Sequence, residues 1–359
     1  MTQRLNNLML GLAPVILALL LTTVIIFAVG APPLAALWAI VRGAFSGPDK
    51  WAAVLTTAVP LLLCAAGLLI TFAAGLWNIG VEGQIIAGAL MATWLALNFD
   101  LPPLVFIPLL LIAGAVGGAL WGWLVGWLKV YGNVHEIFGG VGLNFVAMVL
   151  TNYLIFGPWK PTEGATMDGT VPFPQSAWLP RLGELPVHPI AVLLAVVAIV
   201  LVYFGLRGTT WGLKLKAIGN NRRSAFLLGI PTERYMLGAF ILCGALAGLA
   251  GCIQAIGVRQ RLVPNISSGY GFLALLVVLL AGYRPLWVVP ISLFFAVIAV
   301  GSPQLELNMQ LDSALGATLE GLIVLFVLLA QGMRRGSGER EAGSVEREVQ
   351  ASGEGERVA

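Results

Sequence analysis

The stretch Trp51-Ala-Ala-Val-Leu-Thr-Thr-Ala-Val-Pro-Leu-Leu-Leu-Cys-Ala-Ala-Gly-Leu-Leu-Ile-Thr-Phe-Ala-Ala-Gly-Leu76 runs for 26 residues without a charged side chain. About 20 apolar residues carry a helix across the hydrocarbon core of a bilayer, so this run is long enough to span it. Residues 8–29, 104–128, 137–156, 188–206, 234–256 and 312–331 form runs of the same kind. Three shorter or interrupted runs lie at 84–97, 270–282 and 286–300. None alternates apolar with polar residues as the strands of a membrane barrel do. The fold class read from this pattern is an all-α polytopic membrane protein with about ten transmembrane helices.

Composition agrees. Of 359 residues, 58% are hydrophobic and 10% charged, and the mean hydropathy is +0.92. A soluble domain is charged at about a quarter of its positions. Eleven of the charges crowd into residues 332–359, leaving 26 for the first 331 residues. Residues 1–331 therefore read as one transmembrane domain. Residues 332–359, rich in Gly, Ser, Glu and Arg with almost no large apolar residue, read as a disordered tail, because they cannot bury enough apolar surface to fold. The run at 8–29 exceeds the 7–15 residues of a signal-peptide core and reads as the first membrane helix.

Basic residues orient the chain. With ten crossings and a cytoplasmic N-terminus, fourteen Lys and Arg fall inside and six outside. The positive-inside rule favours this arrangement, with both termini cytoplasmic and the protein in the cell membrane. Loop 157–187 is then external and loop 207–232 cytoplasmic. The external loop carries six prolines together with Trp159, Phe173 and Trp178. These suit either a docking surface for an external partner or an ordinary aromatic belt.

Several activities are excluded. The net charge of +3 sits in short loops and gives no nucleic-acid footprint. Cys64, Cys243 and Cys252 lie inside apolar runs, without a CxxC pair, and only two histidines exist. No metal site and no catalytic cluster follow from them. GxxxxGK[ST], GxSxG and HExxH are absent. The chain reads as no enzyme, with no cofactor of its own. If ATP drives transport, another chain hydrolyses it.

Two stretches could carry chemistry. Gly75-Leu-Trp-Asn-Ile-Gly-Val-Glu-Gly-Gln84 sets Asn78, Glu82 and Gln84 among glycines between a long apolar run and a short one. It is either a tight surface hairpin or a discontinuous helix, of the kind transporters place at substrate sites. Glu82 is a pathway candidate, or it caps the helix that follows. Asn144, Asn152, Gln254 and Glu320 are polar residues inside apolar runs, where hydrogen bonds between helices account for most such groups. Glu320 is the exception to watch. The loop at 207–232 breaks at Gly219-Asn220-Asn221, after which Asn221 can cap a short helix starting near Ser224. That helix either receives force from a soluble motor or is a basic interfacial helix held by anionic lipid.

These residues resemble a known family. Gly75–Gln84, then Gly212-Leu-Lys-Leu-Lys-Ala-Ile-Gly-Asn-Asn221 with Ala225 and Gly229-Ile230, are similar to the permeases of ABC importers of the simple-sugar and branched-chain amino-acid class. The form Asn-Ile-Gly-Val-Glu-Gly-Gln looks most like the nucleoside permeases linked to basic membrane lipoproteins. The resemblance implies an importer bundle for nucleosides or related sugar compounds, working by alternating access. With it, the residue reading puts Asn78, Glu82, Gln84, Asn144 and Glu320 along the substrate pathway. The resemblance also implies a coupling helix, with Gly219, Asn220, Arg222, Arg223, Ser224, Ala225 and Gly229 at an ABC ATPase subunit. A second permease, different from this one, and an extracytoplasmic substrate-binding lipoprotein complete the set. Departures fall at His135, at Leu273-Ala274 after Gly269-Tyr-Gly-Phe272, and at Glu320-Gly321, and they bear on the substrate more than on the class. The rival reading is an ion-gradient transporter or channel with Glu82 and Glu320 as ion sites.

Overall fold

The computed structural model describes residues 32–161 and 169–309, with scattered positions between 20 and 30 and between 315 and 329. Among them the chain is helical, with no strand and one isolated bridge between Leu182 and Leu185. The helices are α1 (Pro33–Phe45), α2 (Pro48–Ala73), α3 (Val81–Asn98), α4 (Pro103–Val130), α5 (Glu136–Phe156), α6 (Pro189–Gly208), α7 (Thr210–Asn220), α8 (Arg222–Leu227), α9 (Thr232–Ile253), α10 (Tyr270–Leu280), α11 (Pro285–Gly301) and α12 (Pro303–Met309). A π-helical turn, Gln254–Arg259, extends α9.

Six helical stretches among the described residues are long and apolar enough to cross a membrane: Pro48–Ala73, Pro103–Val130, Glu136–Phe156, Pro189–Gly208, Thr232–Arg259 and Pro285–Leu307. At 1.5 Å per residue, 20 residues reach about 30 Å, the thickness of the hydrocarbon core. The runs expected at 8–29 and 312–331 lie largely outside the described residues, as do Glu320 and the tail 332–359. The run at 84–97 lies within α3, which is 18 residues long and buried on nearly every face. The run at 270–282 becomes the 11-residue α10, too short to cross alone.

The chain divides into two compact units, residues 1–43 with 301–359 and residues 44–300. In the first, Gly43 lies beside Gln304 and Gly301 against the backbone of Ile40, so the two segments of this unit meet at small residues. In the second, α9 runs along α4, α3 and α2. Gly118 and Gly122 of α4 face Gly244 and Gly248 of α9 so closely that a side chain on any of them would overlap the other backbone, and one on Gly114 would overlap Cys252. Small residues are what let two membrane helices approach to this distance.

Burial separates core helices from lining helices. In Pro48–Ala73, 78% of the apolar window is buried, but in Glu136–Phe156 only 22%. The outer helices expose large apolar side chains, among them Leu104 at 88%, Phe138 at 76% and Leu201 at 66%. Water tolerates no apolar surface of this extent on a soluble monomer, whereas lipid does.

The described part of loop 157–187 is a folded cap. Thr170 N–H donates to Leu262 O at 2.9 Å, Phe173 N–H to Gln260 O at 2.8 Å, and Leu179 N–H to Ile256 O at 3.2 Å. Phe173, Ala177 and Leu179 of the cap are buried. The cap is thus stitched to the π turn and the segment that follows α9.

Candidate functional site

Helix α2 ends at Ala73, and the chain turns at Gly75, whose φ of +72° lies in the left-handed region open to glycine. Gly75 also touches α7, since a Cβ there would sit 3.0 Å from the Cα of Gly219. The backbone then passes through Asn78 before α3 begins at Val81. Asn78, Glu82 and Gln84 are all buried within the protein, so the break is enclosed by neighbouring helices.

Buried polar groups need partners, and here the chain supplies them. The Asn78 amide donates to Gln84 Oε1 at 3.0 Å, and the Gln84 amide donates back to Asn78 Oδ1 at 3.3 Å. Asn78 Nδ2 also reaches Cys243 Sγ on α9 at 3.0 Å. Asn144 on α5 clamps the start of α3 from the other side. Its Nδ2 donates to Ile79 O at 2.9 Å, and its Oδ1 accepts from Gly83 N–H at 2.8 Å. Three helices are tied to the break by side-chain amides.

Glu82 does something its own segment does not reveal. Its Oε1 accepts from Gly269 N–H at 3.0 Å and its Oε2 from Gly271 N–H at 2.8 Å. These N–H groups belong to the start of α10, where the first turn has no internal acceptor and the helix dipole is positive. Glu82 therefore caps a helix nearly 190 residues away, rather than α3 alone. The approach is tight: a Cβ on Gly271 would overlap the Glu82 carboxylate and sit 2.9 Å from its backbone N.

The structure thus brings Asn78, Glu82, Gln84 and Asn144 into one buried cluster, and Glu320 lies outside the described residues. Sequence reasoning missed Cys243, Gly269 and Gly271. The signal was present in Gly269-Tyr-Gly271, two glycines bracketing a helix start, which is the small-residue surface a carboxylate needs to reach backbone N–H groups. Lys129 and Glu136 form an ion pair where α4 gives way to α5, next to His135, whose Nδ1 accepts from Ile137 N–H at 3.4 Å. Among the described residues, no group of three or more His, Cys, Asp or Glu is placed to hold a metal.

The second cluster lies at the other end of α6 from the cap. Thr209 caps α7, accepting from Gly212 N–H at 3.1 Å, and Asn221 caps α8, accepting from Ser224 N–H at 3.0 Å. The helix break comes only at Asn221, because Gly219 and Asn220 remain in the last turn of α7. Gly219 packs so closely on Ala73 O that a side chain there would overlap it. Arg222, Arg223 and Ser224 are exposed and Ala225 is buried. Gly229 closes the turn, donating its N–H to Phe226 O at 2.9 Å. Phe226, Leu227 and Leu228 stand out by 66%, 77% and 79%, an apolar tip that reading the loop for its basic residues overlooked.

His188, which the sequence did not single out, is buried at the N-cap of α6. Its Nδ1 lies 3.1 Å from Leu179 O and 3.2 Å from Pro180 O in the cap. Burial holds its pKa below the usual histidine value, against hydrogen bonds that raise it, and the nearby Arg181 charge lowers it further.

Comparison with known proteins agrees with this architecture. The family model described as branched-chain amino acid transport system / permease component matches residues 51–330. The glucose ABC transporter permease protein TsgB13 of Haloferax volcanii is 32% identical over 299 residues, covering 79% of this chain and 77% of that protein. Two guanosine ABC transporter permease proteins of Bacillus subtilis also match. NupP is 28% identical over 336 residues, covering 92% of this chain and 94% of its own length. NupQ is 26% identical over 253 residues, covering 68% and 78%.

Proposed function

This chain belongs to the family of permease components of branched-chain amino acid transport systems, and from that premise we propose that its cargo is a nucleoside or a related sugar compound. It is a permease subunit of an ABC importer, a multi-pass membrane protein and not an enzyme. The cargo reading is supported by relatives named for guanosine and for glucose. It is supported equally by the chemistry of the buried cluster. A nucleoside is neutral and rich in donors and acceptors, which side-chain amides such as Asn78, Gln84 and Asn144 match in both roles.

The observation that carries the pathway is the amide-and-carboxylate cluster at a helix break inside the bundle. In the arrangement seen, Asn78, Glu82, Gln84 and Asn144 bond one another and neighbouring backbone, and we read them as latches between α3, α5, α9 and α10. Opening the bundle would free these groups to face the cargo, with Glu320 further along the route. We read residues 1–331 as one permease domain of about ten crossings, with both termini and the tail 332–359 cytoplasmic. Loop 207–232 is then the coupling region and loop 157–187 the outer cap.

In this reading ATP is bound and split on a separate ATPase subunit. That subunit's closure pushes α8 through Arg222, Arg223, Ser224 and the apolar tip at Phe226–Leu228. A second permease completes the channel, supported by the presence of two matching guanosine permeases in one Bacillus. An extracytoplasmic binding lipoprotein delivers cargo to the outer cap. Family membership sets aside the ion-gradient alternative, and the full use of both Glu82 oxygens by backbone donors agrees.

Uptake of labelled guanosine and glucose by cells with and without the chain tests the proposal. Uptake that needs the chain, survives an uncoupler while ATP lasts and stops when ATP is depleted supports it. Uptake that collapses with the ion gradient at constant ATP would sink it.

A further inference from the structure

The ends of α2 and α6, helix α7 and the turn into α11 enclose a cleft of about 380 Å³, within the size range of small-ligand sites. Its floor includes the buried Leu69. Arg207 comes from the last turn of α6, Lys216 and Asn220 from α7, and Tyr283 and Arg284 from the turn. None of the described residues lining it is acidic. Lys216, Arg284 and Arg207 have no carboxylate partner among the described residues, and Arg207 donates to the Tyr203 hydroxyl at 3.0 Å with its guanidinium 5.1 Å above the ring. Three cationic side chains line one concave site, with no carboxylate paired to them among the described residues. Such a cleft concentrates anions.

The surroundings narrow the source of the anion. Phe72 packs against Tyr283 in a tilted arrangement at 5.2 Å and edge-on against Trp77 at 5.3 Å. Aromatic side chains mixed with Lys and Arg at helix ends are the composition of the headgroup level of a bilayer. Next to the cations in sequence, Leu201 and Phe204 on α6 and Leu286 and Trp287 on α11 are exposed and apolar, a surface for acyl chains. We propose that this cleft binds the phosphate of an anionic phospholipid, held by Arg207, Lys216 and Arg284. The bound lipid braces α7 against α2 and the α11 turn, at the one place where α7 also meets Gly75 through Gly219. Through Asn221 the same helix leads directly into α8, so the lipid steadies the base of the exposed tip.

The test uses the purified, delipidated full chain titrated with phosphatidylglycerol in mixed micelles and read by native mass spectrometry. Phosphatidylglycerol is expected to bind in preference to phosphatidylcholine. The double substitution Lys216→Gln with Arg284→Gln is expected to weaken it roughly 25-fold, about fivefold for each cation removed. Lys214→Gln, on α7 but outside the cleft, is expected to leave it unchanged. If the double variant does not purify, Lys216→Gln alone, an exposed side chain, is expected to weaken binding roughly fivefold. Equal binding of phosphatidylcholine, or undiminished binding by the variants, would overturn the proposal. Inorganic phosphate binding the delipidated chain more tightly than phosphatidylglycerol would overturn the lipid assignment and mark a free-phosphate site instead.

Discussion

Replacing Glu82 by alanine removes the acceptor for two backbone donors at once, one on the buried Gly271 and one on the half-buried Gly269. Gly269 N–H and Gly271 N–H bond its carboxylate at 3.0 and 2.8 Å, and among the described residues no other acceptor is bonded to either. A buried donor left without a partner costs about 1–3 kcal/mol, so two cost roughly 2–6 kcal/mol. For large domains each kcal/mol moves the melting point by roughly 2 °C, which puts the loss at roughly 4–12 °C. Glu82→Gln keeps one acceptor oxygen but turns an N–H₂ toward the second donor, so an intermediate loss is expected. The assay is thermal unfolding of the detergent-purified chain by tryptophan fluorescence, with the exposed Glu233→Ala as control. A melting point for Glu82→Ala within a degree of the control would refute the claim that this carboxylate caps α10. The same variants test the pathway reading separately: if both leave substrate affinity and uptake unchanged, Glu82 has no part in transport.

Further expectations follow from the same contacts. Gly118→Leu should abolish a folded, monodisperse product in size-exclusion chromatography, because even a Cβ there would overlap Gly244 O and sit 2.6 Å from the Cα of Gly248. Phe226→Asp and Leu228→Asp should leave the melting point unchanged, since both side chains are exposed, yet abolish co-purification of an ATPase subunit from the native cell. Lowering the pH should destabilise the chain through His188. Its folded pKa lies below its unfolded value of about 6.5, so the unfolded state binds the proton first; the stability this neutral histidine provides is complete above that value and is lost as pH falls toward the folded pKa. His188→Gln should flatten that part of the pH–melting profile, and an unaltered profile would remove His188 from the account.

Membrane character was legible in the sequence because it depends on composition summed over long windows. A run such as residues 51–76 exposes its nature without any knowledge of its neighbours. The caps were legible for a similar reason: Asn221 and Ser224 lie three residues apart, and their bond is local. The short helices were harder. Residues 84–97 and 270–282 have spanning composition but helices of 18 and 11 residues, because the break at Gly75–Gly80 and the turns around α10 serve packing rather than crossing.

The sequence by itself determined the class, the approximate spans, the polar break and the basic loop, since each rests on residues adjacent along the chain. Only the tertiary structure decided what the polar residues do. Glu82 reaches across 187 residues to Gly269, and Asn78 across 165 to Cys243. Linear spacing carries no information about such pairs. They form because a buried donor, acceptor or charge must find a partner inside the bundle, and which partner lies within reach is set by how the helices pack.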